Sequence, residues 1–172
     1  MKPARRTTTT SQSSAKQLAG FVAKFDPAIG SLVRSARAVL RKRLPTAIEL
    51  VYDNYNALAI AFASTERTSD VIVSLAVYAR GVNLYFMYGA RLPDPRRLLK
   101  GSGNQGRFVS LENVAVLDVP GVRALLRAAV RHAKTPLASV GRGYTVIRSV
   151  SAKQRPRRPP PNKRLKLTGA HK

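Results

Sequence analysis

The amino-acid sequence predicts an α+β fold in which an antiparallel sheet carries an N-terminal and a C-terminal helix on one face. Three features point there. Apolar residues recur at helical spacing over 28–43, and the spacing returns over 119–133. Between them, β-branched and aromatic runs over 57–88 follow one another without an intervening helix. Strands joined by short polar or glycine-containing turns pair antiparallel, because a parallel pair needs a long crossover.

In the first helix Ile29, Leu32, Val33, Ala36 and Val39 form one stripe, while Arg34, Arg37 and Arg41 fall on another side. Asp26-Pro27 supplies an N-cap and a first helical residue, Phe21 and Phe25 are candidates for the same core, and Pro45 ends the element. Strands are expected at 57–63, 71–79 and 82–88. Ile72, Ser74, Ala76 and Tyr78 alternate with Val71, Val73, Leu75 and Val77, and Arg80-Gly81 reads as a hairpin connection. Shorter strands are expected at 108–111 and 114–117. The closing helix puts Val122, Leu125, Leu126, Ala129, Val130 and Ala133 on one face, with Asp118 as its cap and Pro120 at its first position. Tyr144 to Val150 reads either as an edge strand or as the beginning of a tail.

A chain of 172 residues is long enough for one domain with a sizeable core. Lysine and arginine total 31 against 8 acids, a net charge of +23. Residues 1–17 and 148–172 hold thirteen of the basic residues and no acid, and read as a basic N-terminal tail and a Pro/Arg/Lys-rich C-terminal tail, both disordered. The domain is then 18–147, itself at +10. No cysteine is present, which excludes disulfide frameworks and thiolate chemistry. The apolar run Ala57 to Ala63 is far short of the roughly 18 residues of a membrane span, so no membrane association is expected and a cytoplasmic location is. No apolar secretory signal opens the chain; its Arg-, Ser- and Thr-rich start leaves a transit peptide as a minority reading. Residues 162–167 resemble a nuclear signal or nucleic-acid patch, against an incidental extension.

Gly101-Ser102-Gly103-Asn104-Gln105-Gly106 matches G-x-G-x-x-G, but a dinucleotide fingerprint needs a strand before it and a helix after it, and the context here is inverted. What survives is an anion or ligand loop of Arg91, Arg96, Arg97, Lys100, Gly101, Gly103 and Arg107, against a solvated loop that needs positive φ. Arg123, Arg127 and Arg131, with Arg34, Arg37 and Arg41, form a candidate phosphate surface, against the wet faces of two amphipathic helices. Non-specific nucleic-acid attraction follows from such a surface; sequence-specific reading does not. Glu49 and Asp53, four apart and expected on one helix face, are the only carboxylate pair to weigh as metal ligands or an acid–base couple. His132 is the only histidine before the C-terminal tail, and no serine has a visible base, so no enzyme and no cofactor are expected.

The run Leu84 to Pro95, followed by Leu98-Leu99-Lys100-Gly101-Ser102-Gly103 and Arg107, resembles the YdhG-like domain family, and the resemblance spans about residues 20–134. Leu44-Pro45 followed by Glu49 fits it upstream, as do Ala128 and Ala129 in the closing helix. The resemblance implies a frataxin-like α+β fold and an uncharacterised function, with an iron-chaperone role by analogy to frataxin. Frataxin collects iron on an acidic ridge, whereas the corresponding helix here offers Arg34, Arg37, Arg41, Lys42 and Arg43, which repel a cation. The expected function is a non-enzymatic module binding a small ligand or protein near loop 91–107 or the sheet around Tyr52 and Tyr55. Nucleic-acid association is the alternative, and iron handling a distant third.

Overall fold

A computed structural model of the chain describes residues 8–161. Its elements are α1 (Thr8–Ala23), α2 (Pro27–Arg43), β1 (Ile48–Asp53), β2 (Leu58–Ala63), β3 (Val71–Tyr78), β4 (Gly81–Phe86), β5 (Arg107–Leu111), α3 (Pro120–Arg131) and β6 (Thr145–Val150). The class is α+β, as the pattern of elements predicts. Asp26 caps α2 by accepting from the Ala28 amide, with Pro27 at the first helical position.

The strands form one sheet in the order β5-β4-β3-β2-β1-β6. Strands β1 to β5 are an antiparallel meander, but β6 lies parallel to β1, so the sheet is mixed and not purely antiparallel. The reason is the long return through α3 and residues 132–144, which brings the chain back along the free edge of β1 in the same direction.

One sheet face is covered. Val51, Ile60, Val73, Leu75, Leu84 and Phe86 join a single apolar cluster with Leu18 and Phe21 of α1, Val33 and Leu40 of α2, and Val122 and Leu125 of α3. On the opposite face Leu50, Ala61, Ala63 and Val71 form a smaller cluster. There the Tyr52 hydroxyl and Thr68 Oγ1, 2.9 Å apart, hold the 64–70 loop against the sheet.

Several expectations need correction. Helix α1 begins at Thr8, inside the stretch assigned to a disordered tail. Its Ser/Thr-rich sequence is a poor helix former, but Ser14, Leu18, Phe21 and Val22 are buried at helical spacing, and that packing decides the outcome. At the other end residues 148–161 are not a free tail: β6 runs to Val150 and Arg157 is 6% exposed. Residues 1–7 and the basic segment 162–167 lie outside the described residues. Residues 114–118 form a 3-10 turn, capped by Asn113, where a strand was expected. Asp118 does not cap α3, whose cap position is Val119; its carboxylate pairs with Arg43 instead.

Two glycines report on how tightly these pieces meet. Gly20 lies on the exposed side of α1 with open space around it, whereas a Cβ on Gly143 would overlap the Ala47 carbonyl oxygen where β6 joins β1. Gly20→Ala is expected to stabilise the protein by up to about 1 kcal/mol. Gly143→Ala is expected to destabilise it by about 1–3 kcal/mol, and paired urea unfolding curves check both signs.

Candidate functional site

Strand β1 aims alternate residues at the helices, and two of them are the carboxylates singled out in the sequence. Glu49 and Asp53 share a strand face, not a helix face, and are 1% and 0% exposed. Glu49 accepts a forked pair of bonds from Arg37, Nε to Oε1 at 3.0 Å and Nη2 to Oε2 at 2.8 Å. Arg41 approaches at 3.4 Å and the Thr145 hydroxyl donates at 2.8 Å. Asp53 takes Lys24 Nζ and Arg157 Nη2 on opposite oxygens, each at 2.8 Å. Burial alone would raise the Asp53 carboxyl; hydrogen bonds from Lys24, Gln154 and Arg157 outweigh it and hold the group below the 3.8 of a free aspartate.

Arg157 belongs to a C-terminal strap. Its guanidinium also donates to the Asn54 carbonyl and lies over the Phe25 ring, 5.5 Å from the centroid. Arg158 donates to the carbonyls of Ala23 and Lys24 just past the end of α1, and Arg155 lies over the Tyr55 ring. The strap therefore binds the β1–β2 turn to the α1–α2 junction. Tyr52 is tied into the Thr68 contact, whereas Tyr55, on the β1–β2 turn beside Arg155, keeps 49% of its surface exposed.

On the helix side, the end of α2 and the length of α3 frame an open groove of about 460 Å³. Its rim is Arg43, Arg123, Arg127 and Arg131; its floor is Leu44, Leu126, Val130 and Leu137. Helix α3 buries Val122, Leu125, Leu126, Ala128 and Ala129, which turns the arginines at every fourth position to solvent. Leu44 ends α2, its amide donating to the Leu40 carbonyl, and the linker after α3 brings Leu137 back over the floor. Arg43 is fixed by the Leu117 carbonyl and the Asp118 carboxylate. Arg123, Arg127 and Arg131 have no ion-pair partner among the described residues.

No family model, curated protein or solved structure matches the chain. The geometry of its own residues carries the functional reading. Within the run that resembles the YdhG-like family, a Cβ at Gly89 would press on Arg107, whereas Gly103 has open space around it; outside that run, a Cβ at Gly106 would overlap the Tyr85 hydroxyl and one at Gly121 would overlap Leu98. Asp94 accepts from the amides of Leu98 and Leu99 at 2.9 and 2.8 Å, closing the loop.

The candidate anion loop is only partly brought together. Gly101 and Gly103 have the positive φ expected of them. Arg107, however, donates to the Gly106 and Gly103 carbonyls, and Asp94 already occupies two of the loop's amides. Arg91 and Arg96 line separate depressions, and Arg97 and Lys100 are exposed. The candidate phosphate surface divides as well. Arg37 and Arg41 are committed to Glu49, Arg34 is exposed on α2, and Arg123, Arg127 and Arg131 line the groove. Sequence reasoning placed Arg43 in the basic run of α2 but missed Leu137, Lys24 and Arg157, which have no sequence signal because their partners lie far along the chain.

The sign of the Asp53 contribution to stability follows from its lowered pKa: it is present above 3.8 and lost as pH falls through the lower folded value. Asp53→Asn leaves Arg157 buried without its counter-charge and is expected to cost about 3 kcal/mol at neutral pH. Its stability should also fall less steeply in acid than that of the unaltered protein, as urea titrations across the acid range would read.

Proposed function

We propose that the protein is a cytoplasmic, non-enzymatic binding module of the YdhG-like kind, taking a small ligand or protein partner of negative charge. The observation that supports it is the groove: three arginines without ion-pair partners among the described residues stand in register along one helix, over an apolar floor. Arginine suits this role because its planar fork binds carboxylate or phosphate with two bonds. Iron handling by analogy with frataxin has less support, since Glu49 and Asp53 are buried against Arg37, Arg41, Lys24 and Arg157. A net charge of +23 favours nucleic-acid association as a second reading, with phosphate drawn to the same rim.

Thermal unfolding of the full chain with pyrophosphate or a glutamate-rich peptide tests the first reading. Either ligand is expected to raise the melting temperature, and the R123E/R127E/R131E variant to show no rise; no rise in the unaltered protein would end it. Duplex-DNA anisotropy at low and moderate salt tests the second. Binding that falls steeply with salt and is lost in the same variant would put nucleic acid in the groove. Binding that survives the substitutions would place the attraction elsewhere on the chain.

A further inference from the structure

The groove contains more than a phosphate surface requires. A site for a bare polyanion needs only cations over a wet, polar floor, because every part of the ligand is hydrated or ionic. Here the floor is Leu44, Leu126, Val130 and Leu137, supplied by three separate parts of the chain, and among the described residues no polar side chain other than the arginines lines the cavity. Such a floor adds nothing to the binding of an inorganic anion, which the arginine rim alone would hold. It gains from an apolar group laid over it.

We infer that the groove binds one small amphiphilic anion, a carboxylate, sulfonate or phosphate joined to an aliphatic or aromatic body. This rests on the proposed reading of the protein as a module for anionic partners and names the class of ligand. Size supports a small molecule: about 460 Å³ falls within the range of small-ligand pockets. A protein partner would need a contact patch of roughly 800 Å² on each side, much larger than one groove of this length. Charge complementarity sets the orientation. The acid group sits at the rim, bridged between neighbouring arginines whose positions along α3 are about 6 Å apart, and the apolar body lies inward against Val130 and Leu137. Asp118 neutralises only Arg43, at one edge, so Arg123, Arg127 and Arg131 keep a net positive rim.

The probe is anilinonaphthalene sulfonate, an aromatic sulfonate whose fluorescence rises on entering an apolar site, titrated into the full chain. Saturable binding to one site is expected, displaced by decanoate but not by acetate or by decanol. R127E and V130S are each expected to weaken it roughly tenfold, the first through the charged rim and the second through the floor. Far-ultraviolet circular dichroism confirms that both variants are folded. Equal binding by either variant, displacement by acetate as effective as by decanoate, or displacement by decanol as effective would overturn the inference. So would binding to phosphatidylglycerol vesicles with no response to free decanoate, which would make the groove a membrane-surface contact. If pyrophosphate still stabilises the protein through Arg123, Arg127 and Arg131 while decanoate does not bind, the amphiphile inference falls and the anionic-partner reading stands. If neither binds, both fall.

Discussion

Two carboxylates on the buried side of β1 set conditions that the surrounding elements have to meet. A carboxylate taken from water into a protein interior costs several kcal/mol unless a cation and hydrogen bonds replace its hydration. Glu49 and Asp53 stand on the face that receives the helices, so the helices and the strap must arrive with cations. Helix α2 brings Arg37 and Arg41 to the first; the junction after α1 and the strap bring Lys24 and Arg157 to the second. An apolar core alone would permit a helix to rotate or slide over the sheet. A forked Arg37–Glu49 pair does not, because its two bonds hold only in one orientation.

The same demand shapes the exterior. Of the acidic residues, Asp26 caps α2, Glu49 and Asp53 are buried, Asp70 accepts from Thr65 and Thr135, Asp94 closes its loop, and Asp118 holds Arg43. Glu66 accepts from the Tyr144 hydroxyl. With most of its acids engaged within the fold, the protein has few left to balance the arginines on α3. The basic groove is thus partly a by-product of how the interior is stitched together. Its apolar floor is not explained in that way, and it separates the groove from an ordinary wet helix face.

The elements that could be read from the residues are those whose neighbours in sequence are also their neighbours in space. Helix α2 combines a periodic stripe with the Asp26-Pro27 cap, β3 and β4 form a hairpin, and α3 has a clean apolar face. Strand β1 was hidden because its inward positions carry acids: Glu49-Leu50-Val51-Tyr52-Asp53 alternates, but with charge where apolar side chains are the rule. Only cations eight or more residues away make that pattern tolerable, and spacing rules do not see them. The parallel placement of β6 was hidden for a related reason, since nothing local says which free edge a returning strand will take. The groove was half legible. The arginine stripe on α3 was visible, whereas Leu44 and Leu137 join it only through the path of the chain after folding.

The strap has a consequence in time. Asp53 and the Arg157 that neutralises it are 104 residues apart. At ordinary synthesis rates of about 5–20 residues per second, the aspartate is made roughly 5–20 s before this second cation. Through that interval the meander of β1 to β5 can assemble with Lys24 alone on Asp53 and with the outer edge of β1 uncovered. Strand β6 and the strap arrive together, one closing the edge and the other supplying the missing charge. Residues 145–158 therefore supply both the cover for the edge of β1 and the second cation, and a chain stalled before them carries an open strand edge beside an Asp53 held by Lys24 alone.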